Sequence, residues 1–314
     1  MNKVYEIYDC VLMEKMSTIV GKEDKAAEYK ERYETLKAEF ISTYVDADYT
    51  LLTDNKDDFV LPFAKPKLSG DNAQTGLLWA LKLNLYDSEE MRDAFIKNLL
   101  ANIENKDGEL RPGQEENTLA VGFLGVNVIL PMLTDMGYGD VAYTLMMQDT
   151  DPSWLYAVKN GATTTWERWN SFSVADGYGD SSMNSFNHFS YGASVEWMYN
   201  YMAGIKSDEA APGYKHFFLQ PTIDTQGRVD SVDGTYKSVY GMIESAWTSA
   251  EGVIKTYKAV VPANTSATLY LPLGAEQAGA LELPEGAVYA GQEERNGAEC
   301  AKFELVAGTY EFVF

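Results

Sequence analysis

The chain has 314 residues, of which 46% are hydrophobic, 23% charged and 13% aromatic. This balance is typical of a packed protein of about two domains and excludes disorder as its main state. The formal net charge of -22 excludes binding to nucleic acid or to an anionic membrane through bulk charge, and it favours a neutral polar substrate.

The cysteine content and the start of the chain bear on the compartment. Cys10 and Cys300 lie near opposite ends of the sequence and give no disulfide framework. The first residues, MNKVYEIYDCVLMEKM, carry charges that interrupt any apolar core, so no signal peptide is expected. No apolar run reaches the length of about 18 residues that a membrane-spanning helix needs. We therefore expect a cytoplasmic protein without a membrane partner.

Up to about residue 210, apolar residues recur at helical spacing. Helices are predicted over residues 2–20, 23–44, 72–86, 88–104, 117–136 and 139–148, after Asp151-Pro152, and over 184–205. Residues 45–70 are predicted to form a long connection. About eight helices joined mostly by short turns favour a helical toroid or bundle.

After residue 211 the apolar pattern changes to period two. Strands are predicted over residues 214–220, 236–248, 252–261, 266–271, 301–306 and 309–314. About 100 residues of antiparallel strands is the size of a β-sandwich. The sequence therefore predicts a helical domain over 1–210 and an all-β domain over 211–314.

Motifs for phosphate, dinucleotide or metal binding are absent from the sequence. Two histidines in the whole chain cannot build a His-rich metal site, so neither a metal nor a cofactor is expected. The two glycines of Gly122-Phe123-Leu124-Gly125, which lie in an apolar helical pattern, favour close helix packing instead.

The segment GATTTWERW places Glu167 between Trp166 and Trp169. Apolar walls raise the pKa of a carboxyl group and a neighbouring guanidinium lowers it, so such a group can be tuned as an acid or base near neutral pH. Indole faces also stack on the C–H faces of sugar rings, and an acid between indoles therefore favours a glycosidase. The alternative is a structural stack in which Glu167 pairs with Arg168 or another base.

The second polar candidate is His188, in the segment SFNHFSYG. We predict that it lies at the start of the last long helix, where an imidazole could change its charge near neutral pH. The alternative is a hydrogen-bonded core histidine. His216 lies within a predicted strand and is expected to be structural.

Seven segments, taken in order, resemble the C-terminal part of the bacterial α-L-rhamnosidases of glycoside hydrolase family 78. They are AQTGLLWAL (73–81), GFLG (122–125), DPSW (151–154), GATTTWERW (161–169), SFNHFSYGASVEWMYNYMAGI (185–205), PGYKHFFLQP (212–221) and YGMIESAW (240–247). This resemblance implies an (α/α)6 barrel followed by an antiparallel β-sandwich.

The resemblance also implies an activity, which is the hydrolysis of terminal non-reducing α-L-rhamnosyl groups with inversion at the anomeric carbon. The glutamate of the first motif, here Glu167, would be the general base. The histidine of the second motif, here His188, would hydrogen-bond the sugar hydroxyls. The substrate-binding walls against the sugar's methyl group would be indoles, namely Trp166, Trp169, Trp154 and Trp79.

One part of the family's pattern is missing from this sequence. The general acid of the family lies in an upstream motif rich in Asp, Arg and Glu, and nothing before residue 70 resembles it. A barrel of twelve helices also needs more than the eight predicted. We therefore expect a barrel that is incomplete at its N-terminal side. The chain is expected to contain the general base and to lack the general acid. Its expected partners are rhamnose-containing glycosides and the missing N-terminal half of the enzyme.

Two other functions stay open at the level of the sequence. The chain could be a non-catalytic rhamnose-binding or assembly fragment, or it could belong to a different glycosidase built on an (α/α)6 barrel.

Overall fold

The computed structural model describes residues 1–53, 70–179 and 182–314. These residues form two compact units. Unit 1 comprises Met1–Met132 and Gln148–Ser190, and unit 2 comprises Leu133–Met147 and Tyr191–Phe314. Because the units follow contacts in space and not chain order, the predicted domain boundary at residues 210 and 211 stays a prediction. Most of the predicted connection at 45–70 lies outside the described residues.

Helices dominate the first half of the chain, as its apolar periodicity predicts. They are α1 (Asn2–Ile19), α2 (Glu23–Tyr44), α3 (Gln74–Lys82), α4 (Glu89–Glu104), α5 (Phe123–Asp135), α6 (Gly139–Met147) and α7 (Trp154–Lys159). Ion pairs from Lys3 to Glu39 and from Arg32 to Glu6, each with an N–O distance of 2.9 Å, show that α1 and α2 run antiparallel as a hairpin. None of the helices in the described part of the chain is long and apolar enough to cross a membrane.

Helix α5 begins at Phe123, later than the predicted start at residue 117. The preceding backbone bonds to side chains instead of forming helical turns: the N–H of Ala120 donates to Gln74 at 2.7 Å. Gly125 lies in the first turn of α5, where a Cβ atom would come within 2.6 Å of the hydroxyl of Thr75. Close packing of α3 and α5 at this glycine is therefore confirmed.

The long helix predicted over residues 184–205 is wrong. Residues 182–189 contain no helix. They are followed by a 3-10 helical turn at Ser190–Ala193, the short α-helix α8 (Ser194–Trp197) and a π-helical turn at Met198–Met202. The strand β1 (Ile205–Ser207) comes next. Two causes are visible. Backbone groups of residues 185–188 bond to residues 164–167, and Gly204, at φ +77°, ends the helical path.

Unit 2 contains two β-sheets. The strands after β1 are β2 (His216–Leu219), β3 (Ser231–Ser238), β4 (Gly241–Ala250), β5 (Val253–Val261), β6 (Ser266–Leu271), β7 (Ala287–Arg295), β8 (Ala298–Leu305) and β9 (Gly308–Val313), with a short helix α9 (Ala275–Gly279) between β6 and β7. One sheet has the order β1-β2-β6-β8-β7 and the other β3-β4-β5-β9. Both sheets contribute to one hydrophobic cluster, which includes Phe217, Trp247 and Phe303.

The predicted combination of a helical part with antiparallel sheets is confirmed, with three local differences. The run predicted as one strand over 236–248 is a hairpin of β3 and β4, β7 was not predicted, and β2 and β6 pair in parallel. Val239 and Tyr240 form the turn of this hairpin, and residue types that are common in strands therefore concealed the reversal.

Gly204→Ala is expected to destabilise unit 2 more than Gly213→Ala. Both glycines have a positive φ, but a Cβ atom at Gly204 would lie 2.2 Å from the carbonyl carbon of Gln220, whereas nothing lies within 4 Å at Gly213. Gly213→Ala therefore costs only about 1–2 kcal/mol, because alanine disfavours the left-handed backbone conformation. Gly204→Ala has the same cost and in addition a collision with the backbone of Gln220. Urea unfolding of the two variants measures the difference in stability, and equal unfolding midpoints would contradict the expectation.

Candidate active site

The two sequence motifs with polar candidates lie side by side in unit 1. The N–H of Glu167 donates to the carbonyl of Ser185 at 2.9 Å, and the N–H of His188 donates to the carbonyl of Thr165 at 2.8 Å. The hydroxyl of Thr164 donates to the carbonyl of Phe186. These bonds join residues 164–167 to 185–188, so the segments that carry the predicted base and the predicted sugar-binding histidine lie next to each other.

The carboxylate of Glu167 accepts a backbone hydrogen bond. Its Oε2 atom accepts the N–H of Ser185 at 2.7 Å, and the residue is half-buried. Among the described residues, Oε1 accepts no hydrogen bond and the carboxylate forms no ion pair. The alternative of a structural pair with Arg168 is therefore not observed among these residues.

The imidazole of His188 is half-buried and stacks on two phenyl rings. Its ring centre lies 4.8 Å from that of Phe123 at an interplanar angle of 9°, and 5.3 Å from that of Phe189 at 11°. Its Nδ1 atom accepts the N–H of Ser190 at 3.3 Å. His188 thus lies in an irregular segment, not at the start of a helix, and it is not a core residue.

Trp154 and Trp169 form an edge-to-face pair. Their ring centres are 5.3 Å apart at an interplanar angle of 88°, and both residues are half-buried. The indole N–H of Trp169 donates to the carbonyl of Val121 at 2.8 Å, which orients its ring. These two indoles keep exposed surface that a sugar could contact.

Trp166 and Trp79 are buried, in contrast, with exposed fractions of 6% and 2%. Trp166 packs edge-on against Phe172 and Phe186, and it borders a cavity of about 200 Å³ that Glu167 does not line. Trp79 packs against two tyrosines, and its N–H donates to the carbonyl of Leu124 at 2.6 Å. Sugar contact by these two indoles stays a prediction that their burial disfavours.

The start of α5 connects the parts of the site. The carbonyl of Val121 accepts from Trp169, the ring of Phe123 stacks on His188, and the carbonyl of Leu124 accepts from Trp79. The sequence analysis assigned residues 122–125 to helix packing alone and did not identify Phe123, Ser185 or Phe189. Ser185 and Phe189 lie within three residues of His188 in the sequence, and this was the one available signal for them.

His216, expected to be structural, lies on β2 in unit 2. Its ring nitrogens contact Asp208 at 2.8 Å and Thr268 at 3.1 Å. The described residues contain no group of three or more His, Cys, Asp or Glu side chains that could hold a metal ion.

Comparisons with known proteins agree with the motifs. Residues 1–202 match the family model described as "bacterial alpha-L-rhamnosidase 6 hairpin glycosidase domain", and residues 204–284 match "bacterial alpha-L-rhamnosidase C-terminal domain". Curated α-L-rhamnosidases from Streptomyces avermitilis and an Alteromonas species are 32% and 30% identical over 98% and 83% of this chain.

A solved structure, the Streptomyces avermitilis α-L-rhamnosidase complexed with L-rhamnose, covers 99% of this chain with a TM-score of 0.76 and 30% identity. This chain spans about a quarter of the length of these relatives: 26% of the Streptomyces protein, 25% of the Alteromonas protein and 26% of the solved chain.

Proposed function

The chain belongs to the bacterial α-L-rhamnosidase family, and from that premise we propose that it supplies the general base for inverting hydrolysis of terminal α-L-rhamnosyl groups. The base is Glu167. The observation that supports this proposal is the backbone pairing of residues 164–167 with 185–188, because it brings together the two segments that carry Glu167 and His188.

The proposed reaction is a single displacement. Glu167 takes a proton from a water molecule, and the water oxygen bonds to the anomeric carbon on the face opposite the aglycone. The bond from the anomeric carbon to the aglycone oxygen breaks as a general acid protonates that oxygen. The Ser185 N–H supports this role by orienting the carboxylate through Oε2, which leaves Oε1 to accept from the water.

The general acid is proposed to come from outside this chain. An inverting glycosidase places its acid about 6.5–9.5 Å from its base, and the acid motif of the family does not occur in this sequence. The rest of the enzyme would also have a surface to contact, because Leu12, Met16 and Ile19 on one face of α1 are exposed.

His188, Trp154 and Trp169 are proposed to bind the sugar. An Nδ1 atom that accepts a backbone N–H leaves Nε2 as the N–H donor of a neutral imidazole, which suits a sugar hydroxyl. The edge-to-face indoles offer apolar surface for the sugar's C–H groups and methyl group. Charge supports a neutral ligand, since the chain has a net charge of -22.

Calorimetric titration with L-rhamnose tests the binding half of this proposal. His188→Ala is expected to weaken binding roughly five- to tenfold, because it removes one hydrogen bond worth about 1 kcal/mol. His216→Ala is the matched control, since it removes the only other histidine of the chain, which lies in unit 2. Equal losses in both variants would contradict a specific role for His188.

The same titration, combined with an assay of rhamnoside turnover, distinguishes the proposed function from the two alternatives. L-Rhamnose binding without turnover of any rhamnoside, including one with an activated leaving group, would favour a binding or assembly fragment. Tighter binding of another 6-deoxyhexose, such as L-fucose, would favour a different glycosidase.

A further inference from the structure

The imidazole of His188 stacks on two nearly parallel phenyl rings, and we propose that Phe123 and Phe189 form an aromatic clamp that positions this imidazole to donate from Nε2. The inference rests on the proposed function for its effect on sugar binding. It assigns a task to two phenylalanines that do not belong to the predicted set of site residues.

The clamp is defined by two stacks with almost the same orientation. Both phenyl rings lie within 11° of parallel to the imidazole, with ring centres 4.8 and 5.3 Å away. At these ring distances an imidazole that is nearly parallel to its phenyl neighbours cannot turn about its Cβ–Cγ bond without colliding with one of them. The stacks therefore restrict the ring to one plane and leave only its edges for hydrogen bonds.

One edge of the imidazole is already occupied. Nδ1 accepts the N–H of Ser190 at 3.3 Å, so the neutral ring carries its proton on Nε2. A ring flip would exchange Nδ1 with a carbon and break that bond. The clamp and the Ser190 amide together select one tautomer and one direction of donation.

Burial does not explain the position of Phe189. This side chain is 85% exposed and Phe123 is 42% exposed, whereas a phenylalanine that stabilises a core is removed from water. Aromatic stacking supplies an attraction beyond area burial, and it is the contact that Phe189 makes here. The two rings also come from separate parts of unit 1, the first turn of α5 and the segment that follows His188.

The first test is nitrogen NMR of the histidine rings at a pH where they are neutral. The chain contains two histidines, so the His216→Ala spectrum assigns the signals of His188. We expect a protonated Nε2 and an unprotonated Nδ1 in the native protein and in Phe189→Tyr, which keeps the stack. Phe189→Leu and Phe123→Leu are expected to move both signals toward the average of the two tautomers.

Tyr178→Leu is the matched control, because Tyr178 is an exposed aromatic residue that packs edge-on against Phe172 and Phe186 in the same unit. It is expected to leave the His188 signals unchanged. The clamp is wrong if neither leucine variant shifts them, or if Tyr178→Leu shifts them equally. This readout needs no sugar, so it tests the clamp even if L-rhamnose does not bind and the proposed function fails.

The second test is a double-mutant cycle in the L-rhamnose titration. Phe189→Leu is expected to weaken binding about three- to tenfold, and Phe189→Tyr is expected to restore it. Adding Phe189→Leu to His188→Ala is expected to cause no further loss, because the phenyl ring acts only through the imidazole. Losses that multiply in the double variant would show that Phe189 acts independently of His188 and would overturn the positioning role.

Discussion

Glu167→Gln is expected to lower the rate at which this chain hydrolyses α-L-rhamnosyl fluoride by about 10²- to 10⁴-fold, the usual contribution of a general base. Fluoride leaves without a proton, so this substrate requires a general base but no general acid. The amide of glutamine can still accept the Ser185 N–H, so the local pairing should be kept while the proton acceptor is lost. Fluoride release measures the rate.

Aryl α-L-rhamnosides provide the complementary measurement. Departure of their aryloxide leaving groups is assisted by protonation from a general acid, so the chain alone is expected to hydrolyse them very poorly. Glu109→Gln is the control, because Glu109 is an exposed carboxylate of the same unit. Efficient aryl rhamnoside turnover that disappears in Glu167→Gln would show that the acid lies within this chain. Unchanged fluoride release in Glu167→Gln would overturn its role as the base.

Asp224→Asn is expected to lower the free energy of unfolding of unit 2 by about 3–5 kcal/mol, the usual cost of breaking a buried ion pair. Asp224 is 0% exposed, and Arg228 donates to it from two nitrogens at 2.8 and 3.1 Å. Its carboxylate also accepts the N–H groups of Arg228 and Val229. Arg228 in turn donates to Thr144, so the pair ties this loop to α6 within the unit.

The same carboxyl group gives a pH dependence of known sign. Burial raises the pKa of Asp224, but the hydrogen bonds from the Arg228 side chain and from the N–H groups of Val229 and Arg228 lower it more, so the pKa lies below its ordinary value of 3.8. The unfolded chain therefore binds the proton first. The stability that Asp224 contributes is fully present above about pH 5, and it is lost as the pH falls through the lowered pKa.

Urea unfolding at several pH values measures both effects. Asp230→Asn is the control, because Asp230 is exposed, and its substitution is expected to change stability by less than about 0.5 kcal/mol. As the pH falls below about 5, the free energy of unfolding should decrease less in Asp224→Asn than in the native chain. Equal unfolding midpoints for the native chain and Asp224→Asn at neutral pH would contradict the structural role of the pair.

Sequence patterns predicted the regular elements well where one periodicity extends over the whole element. Helix α2 at Glu23–Tyr44 and strand β6 at Ser266–Leu271 have the predicted bounds. In both, local propensity and burial agree, so no distant partner is needed to infer the element. The aromatic run after residue 184 has helical spacing too, but Gly204 and the backbone bonds to residues 164–167 prevent a long helix.

The sequence by itself determined the family, the combination of helices with antiparallel sheets, and Glu167 and His188 as the polar candidates, because each depends on short motifs or on local periodicity. Only the tertiary structure decided that the segments of these two residues pair, that Trp79 and Trp166 are buried, and that Phe123 and Phe189 stack on His188. Except for the stack between the neighbours His188 and Phe189, those facts depend on hydrogen bonds and ring contacts between segments far apart in the chain, whose geometry no local pattern encodes.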